Sequence, residues 1–223
     1  MGFLHCALSE WPFLRIRLLR TRLGVWLVLL LGMVLRLDRT SVARDPLAAV
    51  LLVAGAGATL CVAYLAGARA DRAALGLALL HPRFPAAMTV GRWLAATSGA
   101  AILVLVAAIH ARLGVALAGV VTAATMSAWT LALAWWGGNV LVGAWLIWLA
   151  LGGGASPEVV LAYPHPGAAR YAVAGALELL PALWRYRGLA IGEPGATAHA
   201  AVWIVIGLAG ARARAARATP EQP

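Results

Sequence analysis

The feature of the sequence that most restricts its fold is the run from Leu113 to Leu151, which contains no charged residue. A membrane-crossing helix needs roughly 20 apolar residues, so this run is about twice the length of one crossing. Its middle, residues 135–139, reads Trp-Trp-Gly-Gly-Asn. Glycine and asparagine favour a turn, and tryptophan favours the membrane interface. The run therefore predicts a hairpin of two membrane-spanning helices.

Composition extends this interpretation to the whole chain, because 63% of the 223 residues are hydrophobic and only 12% are charged. Soluble domains are roughly half apolar and about a quarter charged. We predict an all-α integral membrane protein with about six transmembrane helices. A basic interfacial segment, 1–22, precedes the transmembrane domain, 23–211, and a basic cytoplasmic tail, 212–223, follows it. The predicted spans cover residues 23–37, 46–68, 93–111, 113–134, 138–152 and 196–211.

The arginines indicate the orientation of these spans. They account for all the positive charge, since the sequence contains no lysine, and they flank the apolar stretches instead of forming one patch. We therefore expect contacts with membrane lipid and no binding of nucleic acid. With both termini in the cytoplasm, eleven of the 18 arginines lie on the cytoplasmic side and the other seven lie outside, which is the direction of the positive-inside rule.

The connection between the last two predicted spans, residues 152–195, contains a stretch that is too apolar for a solvated loop. Glu178 and Pro181 interrupt that stretch, and proline breaks a helix. We predict two short helices that re-enter the outer leaflet; a helix lying on the bilayer surface is the alternative. Because an ionisable residue in an apolar stretch is a functional candidate, Glu178 is a candidate outer gate or substrate contact. Pairing with Arg170, Arg185 or lipid headgroups is the other interpretation.

Residues 69–83 form a basic connection between the second and third predicted spans. Leu75 and Leu79 lie on one helix face at i, i+4 spacing, while two arginines lie on another face. The first of two prolines, at Pro82, ends this short helix because proline lacks a backbone donor. We predict a helix parallel to the membrane and then a kink; a solvated loop with helical tendency is the alternative.

This connection resembles the cytoplasmic signature of the ABC-2 type exporter permeases. In that family an acidic–basic pair ends the second span and a leucine-rich segment follows. A proline with a basic residue then precedes a Gly-Lys or Gly-Arg pair that opens the third span. Here those places are taken by Asp71-Arg72, Leu75 to Leu80, Pro82-Arg83 and Gly91-Arg92. The chain departs from the family in lacking a second carboxylate after the acidic–basic pair and basic residues between the fourth and fifth spans.

The resemblance implies the permease subunit of an ATP-binding-cassette exporter, which moves a hydrophobic or amphiphilic substrate outward across the cytoplasmic (inner) membrane of a bacterium or archaeon. It implies two partners, a separate ATPase subunit that binds ATP and Mg²⁺ and a second permease chain, identical or different. A P-loop requires lysine, so this lysine-free chain is expected neither to hydrolyse ATP nor to bind a cofactor. Residues 69–83 would be the coupling helix that contacts the ATPase. The contact residues implied are Arg69, Asp71, Arg72, Leu75, Leu79, His81, Pro82 and Arg83.

Two other functions stay open at this point. One is a haem-exporter-like permease of cytochrome maturation, which the predicted re-entrant segment argues against. The other is a non-transporting membrane protein that acts in assembly or as a scaffold. A membrane enzyme is disfavoured because the sequence lacks hydrolase motifs and because its five histidines are scattered, without the spacing of metal ligands.

Overall fold

The computed structural model describes residues 45–65, 84–151, 155–162 and 167–217, together with Leu29 and Gly32. These residues are mostly helical, and no β-strand occurs among them. Segment 1–22, the coupling-helix residues 69–83 and nearly all of the first predicted span lie outside the described residues. The α-helices are α1 (Pro46–Leu65), α2 (Phe84–Ala107), α3 (Leu113–Leu151), α4 (Pro157–Ala162), α5 (Ala168–Leu179) and α6 (Pro194–Arg217), and a 3₁₀ helix covers Arg185–Ile191.

Four helices of the described chain are long and apolar enough to cross a bilayer. This agrees with the all-α, multi-pass membrane architecture that the composition predicts. The four candidate spans are Pro46–Ala63, Ala86–Ala107, Leu113–Gly138 and Pro194–Arg217.

Helix α1 begins where the sequence predicts, because its first residues suit a helix N-terminus. The carboxylate of Asp45 accepts a hydrogen bond from the backbone N–H of Ala48 at 3.1 Å, which is the geometry of an N-cap. Pro46 follows at the first helical position, where its missing N–H is not needed. These two residues set the start of the second predicted span.

Helix α3 is the predicted hairpin, and it turns at Gly138. The backbone there has φ 61° and ψ −151°, a conformation that glycine alone adopts readily. Trp129 and Trp145 are 16 residues apart, about 24 Å along a straight helix, yet their ring centroids lie 5.9 Å apart. The chain therefore reverses at Gly138, within the turn that the sequence predicts.

The second arm of this hairpin has nearly the bounds predicted for the fifth span, 138–152, because α3 continues from the turn at Gly138 to Leu151. Residues 139–151 form a helix about 20 Å long, which is shorter than a hydrocarbon core of about 30 Å. The described part of this arm is therefore not one of the four candidate spans.

Helix α2 differs from the third predicted span, 93–111, at both ends. It begins at Phe84, because Pro85 lies in the first turn, where proline is tolerated, and it ends at Ala107. Trp93, the predicted first residue of this span, lies inside the helix, where its indole N–H donates to the carbonyl of Ala124 at 2.8 Å. A similar extension occurs in α6, which continues past residue 211 through the basic tail to Arg217.

The contacts between helices define two ends of the bundle. Val50 near the start of α1 and Val104 near the end of α2 both lie against Gly119, close to the start of α3. Further along, Thr59 of α1 contacts Thr130 of α3 at 3.5 Å. Hence α1 and the first arm of α3 run in one direction and α2 runs in the other.

Helix α6 runs in the same direction as the first arm of α3. Gly207 lies directly against the backbone of Ala128, where a Cβ would be 2.5 Å from a carbonyl carbon, and the Trp136 indole donates to the Gly210 carbonyl at 3.1 Å. We call the two ends of the bundle the Asp45 end and the Arg217 end. The residues that border 66–83 and the end of α6 lie together at the Arg217 end.

Candidate functional site

The chain between α5 and α6 enters the bundle from the Asp45 end and turns back inside it. The side chain of Leu183 lies 3.2 Å from the position of a Cβ on Gly55. Gly55 follows Pro46 by nine residues, so this contact lies about 13.5 Å along α1, near its middle. Arg187 is back at the Asp45 end, where it binds Asp45. The chain breaks at Pro181, as the sequence indicates, and the 3₁₀ helix Arg185–Ile191 packs inside the bundle against α3 and α6. The preceding helix α5 stays largely exposed, with only Ala174 and Leu177 buried.

Two tryptophans make the broken end of α5 compatible with an apolar interior. The last carbonyls of a helix lack partners within it, and an unpaired carbonyl in a bilayer is costly. The Trp184 indole donates to the Leu177 carbonyl at 3.0 Å, and the Trp203 indole donates to the Leu179 carbonyl at 2.9 Å. These two hydrogen bonds satisfy two of the carbonyls at the end of α5.

Two ion pairs hold the entering segment at the Asp45 end. Glu178 and Arg185 are 2.6 Å apart, and Arg187 lies 2.5 Å from Asp45 at the start of α1. Glu178 was a candidate gate, with pairing to an arginine as the alternative, and the structure contains the pairing. Both pairs are partly exposed, so each contributes less than about 1 kcal/mol to stability.

The contacts of the Asp45 carboxyl group stabilise its ionised form. Burial acts to raise its pKa, but the hydrogen bonds from the Ala48 backbone and from Arg187, together with the charge of Arg187, act in the opposite direction. Their sum lowers the pKa of Asp45 below its ordinary value. The carboxylate therefore stays ionised at neutral pH and keeps its contact with Arg187.

Two cavities open beside these ion pairs. The outer one has a volume of about 610 Å³ and a charged lining that includes Glu178, Arg185, Arg187 and Glu193. The inner one has a volume of about 210 Å³ and a mostly aliphatic lining from α1, the return arm of α3 and the turn after α5. Trp184 and Arg187 belong to both linings, so the two cavities adjoin.

The structure brings together only part of what the sequence marks as functional. The eight coupling-helix residues lie outside the described chain, and Glu178 lies at the opposite end of the bundle from the chain ends that border residues 66–83. Arg92, which the resemblance places at the opening of the third span, is buried inside α2, and its guanidinium lies 5.6 Å from the ring centre of Trp135. Sequence reasoning missed Asp45 and Arg187 as a pair, although the Asp-Pro dipeptide at 45–46 is a recognisable helix start.

Comparison with protein-family models, with curated proteins and with solved structures finds no match to this chain. Within the described residues, no three His, Cys, Asp or Glu side chains come together as metal ligands. The arrangement at the Asp45 end therefore has to be interpreted from its own geometry.

Proposed function

We propose that this chain is the permease subunit of an ATP-binding-cassette exporter, paired with a second permease chain and driven by a separate ATPase. The observation that supports this most is the opposite placement of two features in one bundle. The segment that re-enters the bundle comes from the Asp45 end, and the chain ends that border residues 66–83 lie at the Arg217 end. A permease needs this separation, because the ATPase acts on one face of the membrane and substrate leaves at the other.

The charge distribution supports the orientation that this function requires. Eleven of the 18 arginines fall on the Arg217 side of the predicted topology and seven on the Asp45 side. The positive-inside rule, which counts Lys and Arg, then favours a cytoplasmic Arg217 end, in a bacterial or archaeal inner membrane. Among the described residues, Arg92, Arg212, Arg214 and Arg217 lie towards the Arg217 end, and Arg112, Arg185 and Arg187 lie at the Asp45 end.

The test is capture of the ATPase from native membranes. We expect the tagged chain to co-purify with a P-loop ATPase, and Leu75→Asp or Leu79→Asp to abolish the association by placing a charge in the apolar contact. Ala73→Asp is the matched control, because it adds the same charge on the opposite face of the predicted helix and should leave the complex intact. Capture that is equal in all three variants would refute the coupling-helix assignment, and absence of any ATPase from the wild-type preparation would refute the exporter function.

A further inference from the structure

We propose that the two adjoining cavities at the Asp45 end form a binding site for a cationic amphiphile. The apolar part of the ligand occupies the inner cavity and its positively charged group occupies the outer one. This inference names the substrate class of the proposed exporter, and its physiological role rests on that proposal.

The inner cavity has the chemistry of a site for an apolar chain. Leu51 and Leu52 of α1, Leu149 of the return arm and Leu183 of the re-entrant turn form most of its wall. Three separate elements contribute to its lining, so the cavity lies between them and is not a groove along one helix. Transfer of an apolar group from water into such a lining is favourable.

The outer cavity provides a polar compartment of suitable size. Its volume of about 610 Å³ lies within the range of roughly 300–1,000 Å³ that small-molecule sites occupy. The indole of Trp184 borders both compartments, and its hydrogen bond to the Leu177 carbonyl fixes the ring in place. A ligand that extends from one compartment to the other therefore passes this ring.

The charged residues that line the outer cavity favour a positively charged ligand. Arg185 is neutralised by Glu178, and Arg187 is neutralised by Asp45. Glu193 forms no ion pair with any described residue, and its carboxylate lies against Gly188, where a Cβ would collide with it. One carboxylate thus remains in a cavity whose two guanidinium groups are already bound. A cation is attracted to it, whereas an anion gains no free positive charge.

The experiment uses the full chain, without an ATPase, in nanodiscs of zwitterionic lipid. The probes are two dodecyl chains that carry a photoreactive diazirine, one with a trimethylammonium headgroup and one with a sulfate headgroup. Mass spectrometry then maps the labelled residues, and a titration gives the half-saturation concentration. We expect saturable labelling of the inner-cavity residues by the cationic probe, at lower concentration than by the anionic probe.

Two pairs of variants separate the roles of the compartments. Glu193→Gln should raise the half-saturation concentration of the cationic probe up to about fivefold, as loss of one partly exposed charge predicts. Glu158→Gln, an exposed acidic residue outside both cavities, should leave it unchanged. Ala48→Phe, or Leu52→Trp if the first variant misfolds, should fill the inner cavity and remove its labelling. Ala198→Phe, at an exposed position of α6, is the steric control.

Equal labelling by both headgroups, or no effect of Glu193→Gln, would overturn the assignment of a cationic ligand. Labelling spread along the lipid-facing helices and unaffected by Ala48→Phe would overturn the site itself. Neither result depends on an ATPase, so the exporter proposal and the ligand proposal are tested independently.

Discussion

At the scale of single residues, Asp45 combines two separable roles. Its side chain caps α1 through the Ala48 N–H and also binds Arg187 of the re-entrant segment. Asparagine is a good N-cap but has no charge, so Asp45→Asn removes the ion pair and retains the cap. This substitution therefore isolates the contact between α1 and the re-entrant segment.

We expect Asp45→Asn to lower the free energy of unfolding by about 0.2–1 kcal/mol at neutral pH, the usual range for an exposed ion pair. Because the pKa of Asp45 is lowered in the folded protein, the stabilisation is present above the unfolded pKa and is lost as the pH falls through the folded pKa. The difference between wild type and variant should begin to shrink near pH 4, the ordinary pKa of aspartate, and vanish only below the lower pKa of the folded protein. Thermal unfolding in detergent across pH, with Arg187→Gln and the double variant completing a cycle, measures it; a difference that does not shrink as the pH is lowered from 7 to 2 would contradict the assignment.

The ion-pair partner of Glu178 could not be predicted from the sequence, for a physical reason. Glu178 stands out in the sequence because it is charged in an apolar stretch, but its role depends on which cation lies nearby. Arg170 and Arg185 are both within reach by sequence distance, and only the turn at Pro181 brings Arg185 to 2.6 Å from Glu178. A charged residue can be identified from sequence, whereas its partner depends on tertiary geometry.

At the scale of elements, the turn at Gly138 determines how α3 divides. Its backbone conformation excludes a Cβ at low energy, even though nothing lies within 4 Å of the position that a Cβ would occupy. The cost of a substitution there is therefore conformational and not steric.

Gly138→Ala should reduce stability by about 1–3 kcal/mol, because alanine disfavours a positive φ with this ψ. Gly143→Ala is the matched control in the return arm. Position 143 is helical with open space around a Cβ, so alanine there should be neutral or stabilising by up to about 1 kcal/mol. The free energy of unfolding of both variants is measured in detergent. Equal changes in the two variants would show that the turn does not depend on glycine.

The two arms of α3 were largely predictable from the sequence. The Trp-Trp-Gly-Gly-Asn sequence correctly predicts the position of the turn, and the return arm ends at Leu151, one residue before the predicted bound. The packing of the return arm was not predictable, because it joins distant residues: Leu149 and Leu183 of the re-entrant turn belong to one buried cluster and line the inner cavity together.

At the scale of the whole molecule, the proposed orientation rests on the distribution of arginines. The predicted topology has eleven arginines on the cytoplasmic side and seven outside, which is a small bias. In the structure, Arg92, Arg212, Arg214 and Arg217 lie towards the Arg217 end, whereas Asp45, Glu178 and Glu193 lie at the Asp45 end.

Cysteine labelling in intact cells tests this orientation. In a background of Cys6→Ser and Cys61→Ala, His110→Cys at the Asp45 end should react with a membrane-impermeant maleimide from outside. Ala213→Cys, near the Arg217 end, should react only after permeabilisation, because the positive-inside rule places that end in the cytoplasm. The reverse pattern would invert the topology and remove the basis of the exporter proposal.

The sequence by itself determined that this chain is an all-helical membrane protein, where α1 starts, and where α3 and the segment at Pro181 break. These features follow from local composition and from the backbone limits of proline and glycine, which act within a few residues. Only the tertiary structure decided that Arg187 binds Asp45 and that two cavities meet at Trp184. Those features join residues far apart in the chain, and local patterns contain no information on which distant side chains will meet.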